Sequence, residues 1–93
     1  MDKLDPESVQ EHLLTVGEWT LNGESIQRTF AHEDFVGSMA FVEKVAAIAE
    51  ASSHHPDILI RWNKVTLTMT THDAGGLTGL DFELARAIDA AAA

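Results

Sequence analysis

The hydrophobic period of the sequence changes twice along the chain, and this change limits the folds that are possible. Apolar residues recur at helical spacing from Asp34, a predicted N-cap, to about Ser52. Before and after this stretch, apolar and polar residues alternate with a period of two, which is typical of strands with one buried face. A long helix between two strand-forming stretches predicts a mixed domain of helices and sheet.

Each alternating stretch predicts a β-hairpin, because each contains a polar turn signal between two strand-like runs. The signal is Asn22-Gly23 in the first hairpin and Asn63-Lys64 in the second. On the last strand, the residues expected to share the apolar face are Val65, Leu67 and Met69, and those expected on the polar face are Thr66, Thr68, Thr70 and His72. His72 is therefore predicted at a strand end that is open to a ligand.

Helix signals near both ends complete the predicted architecture. Asp5 followed by Pro6 indicates the start of a first helix, and Thr78 with Asp81 three residues later forms a capping box for a last helix. The sequence thus predicts one α+β domain over residues 1–93, with the element order α-β-β-α-β-β-α. Its two layers are a four-stranded antiparallel sheet and the helices packed on one face of that sheet.

The apolar residues of the central helix are predicted to lie in the core. They are Phe35, Met39, Val42, Val45 or Ala46, and Ala49. The stripe is also wide enough to carry a helix-to-helix contact between subunits. Assembly would help a chain of 93 residues, because a domain of that size buries only about two thirds of its unfolded surface.

Composition excludes several classes of protein. Six Lys and Arg against 15 Asp and Glu give a net charge of −9, which argues against nucleic acids and anionic membranes as partners. The absence of cysteine excludes disulfides, thiolate metal sites and thiol nucleophiles. The first ten residues lack the apolar core of a signal peptide, and no run approaches the roughly 18 apolar residues of a membrane span, so we expect a cytoplasmic protein.

Three of the five histidines lie between residues 50 and 81, and this density is hard to explain by packing. Pro56 stops the central helix and restricts His55 to extended conformations, which places His54 beside the helix C-terminus. The negative end of the helix dipole favours the imidazolium form of His54, and Glu50, four residues earlier, is expected to do the same. The alternative is that His54 and His55 only cap the last helical carbonyls.

Read as a spaced pattern, this segment matches a known signature. The pattern is Glu50, three residues, His54-His55-Pro56, five residues, Trp62, nine residues, His72, eight residues and Asp81. It resembles the signature of the pterin-4a-carbinolamine dehydratases at every position, and the resemblance extends over roughly residues 17 to 90. Seven residues at fixed offsets make a specific match.

The resemblance implies an enzyme that dehydrates 4a-hydroxytetrahydropterins to quinonoid dihydropterin, the recycling step after an aromatic amino acid hydroxylase. The candidate catalytic residues are then His54, His55 and His72, with His54 and His72 as the acid–base pair and His55 orienting the pterin. Histidine suits both proton transfers near neutral pH, so no metal, nucleotide or other cofactor is required. The resemblance also suggests a homodimer or homotetramer, formed through helices or sheet edges.

The remaining signature and flanking residues receive supporting roles from the same resemblance. Pro56, Thr71 and Asp73 are expected to line the pterin pocket, and Glu50 to tune His54. Trp62 is either a stacking platform for the ligand or a filler at the rim of the core. Asp81 is expected to fix the last helix and so position the loop before it.

Two other classes of function compete with the enzyme. In animals, members of the same family resemble a dimerisation cofactor of a transcription factor. Other relatives assist protein assembly. A metal site built from His54, His55, His72 and Asp73 is the second alternative, since imidazole and carboxylate suit zinc or iron. Adjacent histidines seldom bind one ion together, and neither an HxH nor an HExxH spacing is present.

Overall fold

The computed structural model describes residues 2–93, and the predicted element order and α+β architecture are confirmed. The elements are α1 (Pro6–Leu13), β1 (Thr20–Asn22), β2 (Ser25–Ala31), α2 (Phe35–Ser52), β3 (Asp57–Arg61), β4 (Lys64–Met69), a single turn of 3-10 helix (His72–Ala74) and α3 (Gly79–Ala92). None of the helices in this part of the chain has the length and apolar character needed to cross a bilayer.

The four strands form one antiparallel sheet in the order β1-β2-β4-β3. Period-two alternation separates its faces as predicted: Val65, Leu67 and Met69 are fully buried, and Thr66 and Thr68 lie on the other face, where Thr66 is 8% exposed and Thr68 is half-buried. The core lies on the apolar face and includes Phe82 and Ile88 of α3. The segments that carry His54, His55 and His72 lie at the end of the sheet where Asp57 pairs with Thr68.

Both hairpin turns lie one residue from the predicted position. Asn22 pairs with Ser25, so the first turn is Gly23-Glu24, and Gly23 takes the positive φ of 61° that a two-residue turn requires. The second turn is Trp62-Asn63, not Asn63-Lys64. Burial of alternate residues on the central strands fixes the pairing register, and the turn takes whichever residues remain.

The buried face of α2 also differs from the prediction. Val45 and Ala49 are buried as expected, but the inner stripe continues through Phe41 and Ser38. Phe35 and Met39, predicted as core, are 48% and 40% exposed. Because α2 is apolar on more than one side, its composition did not indicate which side faces the sheet.

The two terminal helices begin as predicted. The Asp5 carboxylate accepts a 2.8 Å hydrogen bond from the Ser8 backbone N–H, and Pro6 occupies the first turn. The capping box between Thr78 and Asp81 is present at the start of α3. This second cap lies next to the histidine cluster, so the start of α3 belongs to the candidate site.

Candidate active site

His54 and Asp81 form a largely buried polar pair in the cluster. The Nε2 atom of His54 lies 2.6 Å from Oδ1 of Asp81, and the two side chains are 12% and 0% exposed. A closed helix end places His54 there: Ser53 adopts a left-handed conformation (φ 52°), and the His54 N–H bonds to the Ala49 carbonyl at 3.2 Å. The imidazole is thereby directed towards the N-terminus of α3.

The other carboxylate oxygen of Asp81 is also fully engaged. Its Oδ2 atom accepts the Thr78 backbone N–H at 2.9 Å and the Thr71 hydroxyl at 2.8 Å. The Thr71 and Thr78 hydroxyl oxygens lie 2.9 Å apart. Asp81 therefore has the predicted helix-capping role and, in addition, contacts His54, which the sequence did not predict.

Glu50 does not contact His54, contrary to the sequence prediction. Its Oε2 atom lies 2.5 Å from Nε2 of the neighbouring residue, His55. The helix ends before His54, at its C-cap Ser53, so a residue four positions after Glu50 is no longer placed one helical turn above it. The Glu50–His55 pair is exposed (78% and 59%), and an exposed pair of this kind contributes little free energy.

His72 lies after β4, not on it as predicted. The strand ends at Met69, and His72 begins the 3-10 turn that follows. Two backbone hydrogen bonds between Thr71 and Gly76, of 3.1 and 3.3 Å, close this loop. The positive φ of 75° at Gly75 permits the tight return. His72 and Asp73 are both exposed, so His72 is open to a ligand as expected, but the loop sets its direction.

The three signature histidines line one open cleft of about 280 Å³. Its lining residues are Ser53, His54, His55, Thr70, Thr71, His72 and Asp73. The predicted pocket residues Thr71 and Asp73 are among them, whereas Ser53 and Thr70 were not predicted. Pro56 is half-buried and does not line the cleft.

Trp62 is separated from this cleft within the chain. It lies in the turn between β3 and β4, and the length of β3 puts about 15 Å between that turn and the histidine end of the sheet. Trp62 is 63% exposed, with a positive φ of 49° that a bulky side chain seldom adopts. Trp62 is therefore not among the residues that line this cleft, and a role for it in stacking on the ligand stays a prediction.

Thr78 was read from the sequence only as a helix cap, yet its hydroxyl also reaches the site through Thr71. The capping-box spacing was the available signal, but it does not reveal a contact with a residue seven positions earlier. Among residues 2–93, no three His, Cys, Asp or Glu side chains are grouped so as to hold a metal ion. A second cavity, of about 180 Å³, lies beside α1 and the first hairpin turn and has no histidine in its lining.

The chain matches the family model described as pterin 4 alpha carbinolamine dehydratase over residues 2–91. A protein of Roseiflexus castenholzii with the provisional name pterin-4-alpha-carbinolamine dehydratase is 52% identical over 86 residues, which are 92% of each chain. A relative from Acidobacterium capsulatum with the same provisional name is 50% identical over 90 residues, covering 97% of this chain and 98% of that one.

Solved structures give the same result. The crystal structure of a transcriptional coactivator/pterin dehydratase from Brucella melitensis superposes with a TM-score of 0.92, at 33% identity over 99% of this chain and all of that one. A pterin dehydratase-like protein described as a RuBisCO assembly factor in the alpha-carboxysome shares the fold, with a TM-score of 0.65 at 23% identity. The chain belongs to the pterin 4 alpha carbinolamine dehydratase family.

Proposed function

We propose that this protein catalyses the dehydration of 4a-hydroxytetrahydropterin to quinonoid dihydropterin and water, by acid–base catalysis from histidine. The observation that carries the proposal is the single open cleft lined by His54, His55 and His72. Membership of the dehydratase family supports the same substrate class. A cytoplasmic location and an aromatic amino acid hydroxylase as the supplier of substrate are part of the proposal.

The reaction needs two proton transfers and little else. The C–O bond at the carbinolamine carbon breaks, a proton joins the departing hydroxyl to make water, and the ring nitrogen loses a proton as the C=N bond forms. A positioned imidazole can carry out either transfer near neutral pH. His54 is the better fixed of the two proposed acid–base residues, because Asp81 orients its ring, whereas no protein hydrogen bond is seen for the His72 side chain within residues 2–93.

His55 is assigned to binding rather than proton transfer. It lies on the rim of the cleft, and its pairing with Glu50 holds the ring in an exposed position. Such a residue interacts with substrate and transition state alike, which affects affinity more than turnover. Thr71 and Asp73 complete the proposed pterin-binding wall.

Assembly into a homodimer or homotetramer is also proposed, and exposed apolar residues in two places support it. Phe35, Val36 and Met39 project from the first turns of α2, and Val36 is 76% exposed. The second place is the edge strand β3, where Ile58 and Leu59 are 38% and 55% exposed. An exposed helix face and an apolar sheet edge both favour association.

The decisive experiment follows the decay of enzymatically generated 4a-hydroxytetrahydropterin in the presence of the purified protein. We expect faster decay than the uncatalysed background, and we expect that treatment with a chelator leaves the rate unchanged. Stoichiometric zinc or iron whose removal abolishes activity would contradict acid–base catalysis by histidine alone. An absence of acceleration would favour a protein-interaction module instead. The exposed apolar residues support that class, as do the names of the two structural neighbours, a coactivator and an assembly factor.

Sedimentation velocity tests the assembly proposal. A Val36→Glu variant is expected to lower the sedimentation coefficient if the α2 face is an interface, and a Leu59→Glu variant to do so if the β3 edge is one. Glu43→Gln, an exposed change elsewhere on α2, is the control. A wild-type protein that sediments as a monomer at all concentrations tested would refute the proposal.

A further inference from the structure

The hydrogen bonds around Asp81 can run in only one direction when its carboxyl group is ionised. Thr71 donates its one hydroxyl proton to Oδ2 of Asp81, so the Thr78 hydroxyl must donate to the Thr71 oxygen. The Leu80 N–H in turn donates to the Thr78 hydroxyl oxygen, at 3.3 Å. We call these three side chains, Thr78, Thr71 and Asp81, the hydroxyl–carboxylate chain. All three are buried (0%, 9% and 0% exposed), so water does not compete for these hydrogen bonds and their direction is fixed.

This direction determines which ring nitrogen of His54 carries a proton. Oδ2 of Asp81 already accepts two donors, and Oδ1 offers only lone pairs to the imidazole. Oδ1 of an ionised carboxyl group can only accept, which makes Nε2 of His54 the donor of the 2.6 Å contact. Nδ1 of His54 has no protein partner, and it is not among the buried unpaired atoms of residues 2–93, so it is open to solvent.

We propose that the hydroxyl–carboxylate chain is a positioning device that keeps Nε2 of His54 protonated and leaves Nδ1 as the atom that exchanges protons with the substrate. The catalytic consequence of this inference rests on the proposed function, whereas the protonation pattern of His54 does not depend on it. Asp81, Thr71 and Thr78 are then positioning residues that act through His54. The other ionisable side chains around the cleft are His55, His72 and Asp73, with Glu50 held on His55.

The replacement Asp81→Asn gives the sharpest test. The amide oxygen should take the place of Oδ2, because two donors point there, and the amide NH2 group would then face His54. That group can only donate, so Nε2 of His54 must accept and the neutral ring must carry its proton on Nδ1. The change therefore reverses the tautomer without removing any volume.

Nitrogen-15 NMR of histidine-labelled protein reads the tautomer directly, without substrate. The His54 signals are assigned as those absent from His54→Gln. We expect protonated Nε2 in the wild type and protonated Nδ1 in Asp81→Asn. Because free histidine already favours the Nε2–H form, the reversal is the informative result. An unprotonated Nε2 in wild-type protein, or an unchanged tautomer in Asp81→Asn, would overturn the inference.

Kinetics supply the second readout. A wrong tautomer removes a proton-transfer partner while leaving the cleft intact, so Asp81→Asn should lower kcat by about 10²–10⁴-fold and change KM by less than about threefold. Thr71→Val deletes one donor to Asp81 and should lower kcat by about tenfold, and Thr71→Ser should restore it. Thr71→Val keeps the proposal testable should Asp81→Asn not fold.

The matched control is Thr29→Val. Thr29 forms the same type of hydroxyl pair, 2.8 Å to Thr66, and neither residue lines the cleft. Its loss should leave kcat unchanged. If Thr71→Val instead left kcat unchanged, whether or not KM rose, the positioning role of Thr71 would be refuted. If the tautomers are as expected but the protein has no dehydratase activity, the proposed function is refuted and the inferred protonation pattern is not.

Discussion

The Nε2 atom of His54 lies 2.6 Å from Oδ1 of Asp81, although the two residues are 27 positions apart in the chain. One comes from the closed end of α2 and the other from the capping box of α3. The carboxylate that accepts the backbone N–H of Thr78, the N-cap residue of α3, thus also orients an imidazole at the cleft. Folding stability and site geometry depend on the same side chain.

Replacement of His54 or His72 should lower turnover. A positioned acid or base typically contributes about 10²–10⁴-fold, so His54→Gln and His72→Ala should each reduce kcat within that range after subtraction of the uncatalysed rate. Glutamine is chosen at residue 54 because its amide can still donate a hydrogen bond to the buried carboxylate of Asp81. Circular dichroism should show an unchanged fold. Near-full turnover in both variants would exclude these histidines as the acid–base pair.

His55 and Glu50 should affect affinity rather than rate. We expect His55→Ala to raise KM more than it lowers kcat, since a binding residue contacts ground and transition states equally. Glu50→Gln should change kcat by less than about threefold, because its exposed partner is His55 and not His54. Steady-state kinetics on both variants provide the check, with His12→Gln as a histidine control remote from the cleft. A loss of kcat in Glu50→Gln comparable to that in Asp81→Asn would contradict the observed pairing.

Trp62→Ala should leave kcat and KM unchanged in a site formed by one chain. Trp62 lies at the far end of the β3–β4 hairpin from the histidines, about 15 Å along the strand. The measurement is a substrate titration of wild type and variant at equal active concentration. A several-fold rise in KM would show that Trp62 reaches the pterin of a neighbouring subunit.

Acid should remove the contribution of Asp5 to stability. The hydrogen bond from the Ser8 backbone N–H lowers the pKa of Asp5 below its usual value of 3.8. A carboxyl whose pKa is lower in the folded state stabilises the fold above its unfolded pKa, and this stabilisation disappears as the pH falls through the folded pKa. Thermal melts of wild type and Asp5→Asn should therefore show a wild-type advantage at neutral pH that vanishes in acid, since asparagine caps without titrating. A constant difference in Tm down to pH 2 would refute this.

The structure explains why one kind of site contact was predicted and another was not. The capping box of Thr78 and Asp81 is local, so three-residue spacing was sufficient to find it. The assignment of Glu50 to His54 failed because it extended helical periodicity past Ser53, where the backbone turns left-handed. The placement of His72 on a strand failed for the same reason, since alternation ends with β4 at Met69.

The sequence by itself determined the elements, their order, the two helix caps and the segments that carry the histidines. These properties follow from hydrophobic period and from interactions within a few residues. Only the tertiary structure decided that Asp81 holds His54, that Glu50 holds His55, that Phe35 and Met39 are exposed, and that Trp62 lies in a turn away from the cleft. Side-chain direction beyond the end of a helix or strand has no period of its own, and it is set by how α2, α3 and the sheet pack together.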